Sequence, residues 1–142
     1  MTNPRKNVVI ALSFLSTVGL GPAFAADEGV VKRGRYLTEE VARCQDCHTP
    51  RDEKGDLDRT KWMKGAEMLI QPVGDPPKDW HKTSPNLTPA GRLWQRWGEP
   101  ALMKYLVTGL TPKGTKAGPP MPTYTLEPQD AEAIVEYLKT LK

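Results

Sequence analysis

Cys44-Gln45-Asp46-Cys47-His48 constrains this chain more than any other stretch, because it holds both of its cysteines and one of its two histidines. Thiols spaced this way fall on one helical turn, where each can form a thioether to one vinyl group of a haem. The adjoining imidazole then meets the iron. The pattern predicts covalent c-type haem attachment through Cys44 and Cys47, with His48 as proximal iron ligand. A covalently held macrocycle need not be fully buried, so one edge can stay open to a partner, which suits electron transfer. Other uses of the pair fit less well. A thioredoxin-like site wants a βαβ setting that the flanking sequence lacks. A zinc site needs further ligands, and no second Cys-x-x-Cys or His-x-His supplies them. A disulfide would leave the position of His48 a coincidence.

The N-terminus agrees with that chemistry. Arg5 and Lys6 form a basic start, Val8 to Leu20 a mostly apolar run interrupted by Ser13, Ser16, Thr17 and Gly19, and Ala23-Phe24-Ala25 a cleavage signature. The run is short of the roughly 20 apolar residues that a membrane span needs. The sequence therefore predicts a signal peptide over residues 1–25, cleaved after Ala25, and a single domain over residues 26–142. Haem is attached to c-type cytochromes outside the cytoplasm, so an exported, periplasmic protein with no stable membrane insertion is expected. Loss of Arg5 and Lys6, with no acid removed, takes the formal charge from +3 to +1. Two ionised haem propionates would bring it near −1. No basic stripe with interleaved aromatics points to nucleic acid.

With 14 Pro and 12 Gly in the full sequence, the domain has little to bury by itself, and a haem supplies the apolar surface round which three or four short helices can pack. The first helix is expected from Glu28 to Arg43, with Val30, Val31, Gly34, Leu37 and Val41 on one face. A second runs from about Glu99 to Thr108 and ends at Gly109. The clearest starts at Pro128 and carries Ala131, Ile134, Val135, Leu138 and Leu141 as its apolar stripe. Between them lie Pro/Gly-rich loops, at Gln71–Lys78 and Thr111–Thr125. No strand-like alternation exceeds a few residues. The expected class is all-α, with helices and loops wrapped round one covalently bound haem, and the haem-free protein is expected to be largely unfolded.

The occupant of the sixth iron position decides what the haem can do. The candidates are Met63, Met68, Met103, Met121 and His81. Met103 falls in a helical apolar pattern, and Met63 and Met68 follow His48 too soon to cross to the other haem face. Met121 stands in Gly118-Pro119-Pro120-Met121-Pro122, where prolines fix φ and stiffen the backbone. A rigid loop can hold a thioether on iron at small entropic cost, so Met121 is the expected ligand. Met also serves as an adaptable gap-filler, which is the plainer use of it. His/Met ligation raises the reduction potential relative to bis-His and closes the iron to small ligands.

Together these features resemble the class I cytochromes c. Members of that family cross their first and last helices at a small residue packed by an aromatic, and Gly34 and Tyr137 are the matching positions here. Cys-His-Thr-Pro-Arg (47–51), Ser-Pro-Asn-Leu-Thr-Pro (84–89) and Pro-Pro-Met-Pro with Tyr124 are similar to cytochrome c subunits of bacterial alcohol and aldehyde dehydrogenases. Those subunits often carry several haems, whereas this chain has one attachment motif. The stretch from His48 to the Met loop is longer than in the smallest members, which leaves Pro85, Pro50 and Gly65 as candidate acceptors of the His48 ring N–H. Trp80, Trp94 and Trp97 are each haem contacts or ordinary core. Asn86-Leu87-Thr88 spells a glycosylation sequon but reads better as a loop lining the haem.

The implied function is that of a monohaem c-type cytochrome, not itself an enzyme. It would take single electrons from a periplasmic dehydrogenase and pass them to an oxidase or another cytochrome. Lys113 and Lys116 flank the Met loop and could steer an acidic partner, or simply be solvated charges. Two alternatives stay open: a haem subunit with a mainly structural role in a dehydrogenase complex, and a haem enzyme or sensor with an open sixth site. Neither a nucleophile–base pair nor paired carboxylates nor a phosphate-binding Gly loop supports independent catalysis.

Overall fold

The computed structural model describes residues 27–142, so the expected leader and its cleavage site lie outside the described residues. Helix α1 (Glu28–Tyr36) begins where the Asp27 carboxylate accepts the Gly29 N–H at 2.8 Å, satisfying one of the donors that a helix start leaves bare. Its buried residue is Gly34, at the crossing with α4 (Pro128–Lys139). A Cβ on Gly34 would overlap the Ala133 carbonyl and come within 2.9 Å of Tyr137 Cβ. The crossing expected at Gly34 and Tyr137 is therefore present, and only glycine permits that approach.

The first helix does not continue unbroken to Arg43. It widens at Leu37–Val41 into a π-helical turn, with Ala42 N–H bonded to Leu37 O at 2.8 Å. The wider turn carries one more residue than an α-turn, so the apolar register slips and Val41 points outward at 58% exposure. Arg43 then takes a left-handed φ of 51°, and Cys44 N–H returns to Thr38 O at 3.0 Å. The side-chain amide of Gln45 donates to Glu39 O at 2.7 Å. This distorted joint delivers the chain into α2 (Gln45–His48), a single turn carrying the Cys-x-x-Cys-His residues.

Helix α3 (Arg92–Thr108) starts earlier than the expected Glu99 and is kinked at Gly98, where φ 68° and ψ 172° interrupt the ladder ahead of Pro100. The expected segment corresponds to its second half. It ends at Gly109, left-handed at φ 71°, whose N–H bonds Tyr105 O at 2.7 Å. Helix α4 has Pro128 in its first turn as expected and buries Ala131, Ala133, Ile134, Val135, Tyr137 and Leu138. Leu37 joins four of these in the central cluster, with Val30, Val31, Trp94, Leu106 and Leu141 packed around it. Each fully buried aliphatic side chain there contributes about 1.5–3 kcal/mol. Among the described residues there is no extended strand, only isolated bridges at Arg51–Leu57 and Glu67–Thr83, and the fold is all-α. Among those residues, too, no helix is long and apolar enough to cross a membrane.

Candidate functional site

Cys44 and Cys47 are both unpaired and half-buried. Burial pushes the Cys44 thiol up to about 11, and burial together with Asp46 raises Cys47. Both are protonated at neutral pH, the reverse of the depressed thiol that a thioredoxin-like redox site depends on. His48 is buried, and its Nδ1 lies 2.8 Å from Pro85 O. A carbonyl can only accept, so Nδ1 carries the proton and Nε2 keeps its lone pair. Burial lowers the His48 pKa against the opposing effect of that bond, which holds the ring neutral at physiological pH. Of the candidate acceptors Pro85, Pro50 and Gly65, it is Pro85 that takes the ring N–H.

Loop hydrogen bonds rather than helix packing hold α2. Gly65 N–H donates to His48 O at 2.8 Å, Ser84 hydroxyl to Cys47 O at 2.5 Å, and Met63 N–H to Thr49 Oγ1 at 2.9 Å. Gly65 sits at φ 86° with Ser84 O only 2.7 Å from where a Cβ would lie, so the segments on either side of Pro85 are pressed against the turn that bears His48. Sequence reasoning missed Ser84 and Thr49. The signal for Ser84 was its place directly before Pro85. Thr49 offered none, since its hydroxyl matters only once Met63, at φ 57°, folds back over it.

Met121 lies half-buried at a bend after Pro119-Pro120. The loop's exit crosses to the Cys-motif side: Tyr124 hydroxyl donates to Ala42 O at 3.3 Å. Burial and then the neighbouring Cys44, Tyr105 and Cys47 push Tyr124 up to about 12, so the Met loop, α3 and the thiols converge. Tyr105 meets Trp97 edge-on at 5.5 Å, and its buried hydroxyl has no partner among the described residues. The other candidate ligands have different surroundings. Met63 is fully buried with its backbone tied to Thr49 and Leu87, Met68 N–H bonds Lys82 O, Met103 is on α3, and His81 is exposed. Trp94 donates to Leu87 O at 2.6 Å and packs on the core, Trp97 faces Tyr105, and Trp80 is half-buried. Lys113 and Lys116 are exposed. Residues 31–142 match the cytochrome c family.

The chain belongs to the cytochrome c family. It is 36% identical over 113 residues to a dihaem cytochrome c-type protein of Cereibacter sphaeroides, covering 76% of this chain and 34% of that one. A fructose dehydrogenase cytochrome subunit of Gluconobacter japonicus is 32% identical over 115 residues, covering 77% of this chain and 21% of the relative. A nicotinate dehydrogenase subunit of Pseudomonas putida is 33% identical over 115 residues, covering 78% of this chain and 9% of the relative. This cytochrome thus spans about a third or less of the length of each.

Family membership makes it an electron-transfer haem protein and implies covalently bound haem c with its iron. The residues fit that group. Two unpaired thiols lie on one turn, a neutral imidazole beside them has a free Nε2, and the orphaned Tyr105 hydroxyl lies among the aromatic residues nearby. A buried hydroxyl without a partner among the described residues calls for an explanation, and a cofactor lying against it would give one.

Proposed function

We propose that this cytochrome carries one haem, bonded through Cys44 and Cys47 and ligated by His48 and Met121, and relays single electrons between redox proteins outside the cytoplasm. The observation that carries the reading is the anchored His48 ring. Its Nδ1–H is fixed on Pro85 O at 2.8 Å, which orients Nε2 and raises its basicity towards iron. The bound haem would supply a one-electron Fe(III)/Fe(II) couple. His48 keeps one geometry because Pro85, Gly65 and Ser84 hold its turn, and that limits rearrangement between oxidation states. Met121 is favoured as the sixth ligand because its loop leads through Tyr124 to the Cys motif, whereas the ring of His81 is exposed and the backbone of Met63 is tied on the His48 side. A ligand there closes the iron and favours carrier over enzyme or sensor.

The donor is proposed to be a dehydrogenase, since two relatives are named as dehydrogenase subunits, and the acceptor an oxidase or another cytochrome. Export rests on the basic start, apolar run and Ala23-Phe24-Ala25. The ferric holoprotein is expected to show the weak long-wavelength band of thioether sulfur on iron, and Met121→Ala to abolish it and open the ferrous protein to CO. A variant that kept the band would overturn the assignment. Haem content of one per chain, measured on purified protein, checks the single attachment motif.

A further inference from the structure

Residues 66–84 leave the His48 side of the site and return to it as a narrow excursion. At its base Ser84 N–H bonds Ala66 O at 2.8 Å, Ala66 N–H bonds Ser84 Oγ at 2.9 Å, and Met68 N–H bonds Lys82 O at 2.8 Å. That base is continuous with the support of His48: the Ser84 hydroxyl reaches Cys47 O, and the next residue, Pro85, accepts the His48 ring proton. The returning arm makes a different contact. His81 N–H donates to Pro119 O at 2.8 Å, one step from Pro120-Met121. Gly118 is buried against this arm so closely that a Cβ would overlap the Asp79 carbonyl and come within 2.8 Å of His81 Nε2.

We propose that residues 66–84 form a strap joining the supports of the two axial ligands, with Gly118 and His81 acting as positioning residues for Met121. The proposal rests on Met121 being the sixth ligand. A thioether is a weak ligand, and what keeps it on the iron is the loop that presents it. Here that loop is pinned by a main-chain bond and by a contact that any side chain at 118 would force apart. The same segment supports His48, so the two ligands are referred to one frame rather than to separate loops. Loosening the Asp79–His81 arm from Gly118-Pro119 would release Met121 while the thioethers and His48 hold.

The test uses ferric and ferrous holoprotein. CO binds only the molecules in which Met121 has left the iron, so a roughly tenfold rise in that fraction reads as roughly tenfold tighter CO binding. Gly118→Ala is expected to weaken or abolish the thioether band and to tighten CO binding by about that factor or more, with the haem still attached. His81→Ala deletes an exposed ring and keeps every main-chain bond, so it should fold even if Gly118→Ala does not, and should shift both readouts the same way to a smaller extent. Val73→Ser, at a fully exposed position in the strap, should change neither. A wild type with the band, together with variants at 118 and 81 matching it in band and CO affinity, overturns the strap and leaves the ligand assignment standing. A wild type lacking the band overturns both.

Discussion

One backbone carbonyl, Pro85 O at 2.8 Å, orients the His48 ring. Cys44, Cys47 and His48 announce themselves by spacing alone. The partner of His48 does not, because Pro85 lies 37 positions away and its carbonyl is a backbone group that any residue could offer. Tyr137 was legible as the aromatic at the helix crossing, but its hydroxyl was not: it donates to the Glu39 carboxylate, which also holds Arg35 at 3.2 Å. Burial and the bond to Glu39 push the Tyr137 pKa up to about 12, against about 10 for an unperturbed tyrosine. Between those values the unfolded chain has lost this proton and the folded one has not. The folded state then binds more protons, and stability falls as pH rises through that window; below it the contribution is fully present. Tyr137→Phe keeps the Cβ contact at Gly34 and removes the titration. Its curve of unfolding free energy against pH should be shallower than wild type above about pH 10, by up to about 1.4 kcal/mol per pH unit. Denaturant midpoints measured across that range check this, and parallel curves would refute it.

At the scale of elements, the helices were legible where their apolar period was regular and obscured where the backbone departed from it. α4 appears at Pro128 with its expected stripe because nothing interrupts it. The first helix looked continuous to Arg43, yet Leu37–Val41 is π-helical; a widened turn alters the hydrogen-bond ladder without any Pro or Gly to mark it. α3 was seen only in its second half because Gly98 and Pro100 divide the pattern, although the chain resumes helical geometry on both sides. The α1–α4 pairing is the most extensive between helices, and it depends on Gly34. The Arg33–Asp130 ion pair across the same interface, at 3.0 Å, is partly exposed and contributes little. Gly34→Ala is therefore expected to cost about 3 kcal/mol in holoprotein stability, because its methyl group meets the Ala133 backbone rather than a side chain that could move. A guanidinium titration followed by helical circular dichroism measures the loss. An unchanged midpoint would mean that the two helices can slide apart at little cost.

The whole molecule divides into a part that packs and a part that is tied. α1, α3 and α4 share the central cluster, in which Ala133 and Ile134 are almost wholly enclosed. α2, the loops from Thr49 to Gly91 and the Met loop hang on that cluster mainly by main-chain and hydroxyl hydrogen bonds. Each such bond stabilises by only about 0.5–1.5 kcal/mol net, while each residue ordered costs about 1–2 kcal/mol in backbone entropy. The tied half therefore needs another source of stability. A haem bonded to Cys44 and Cys47, as proposed, would supply apolar surface where α2, Tyr105, Tyr124 and the Met loop converge, and binding it only in the folded state would shift the equilibrium towards that state. Protein prepared without haem, by replacing Cys44 and Cys47 with alanine, should accordingly lose most of its far-UV helical signal and any cooperative thermal transition, including the signal from α1 and α4. The test lies in those two helices. If they kept a native spectrum and a sharp transition without haem, their cluster would be sufficient by itself, and the cofactor would order only the loops around it.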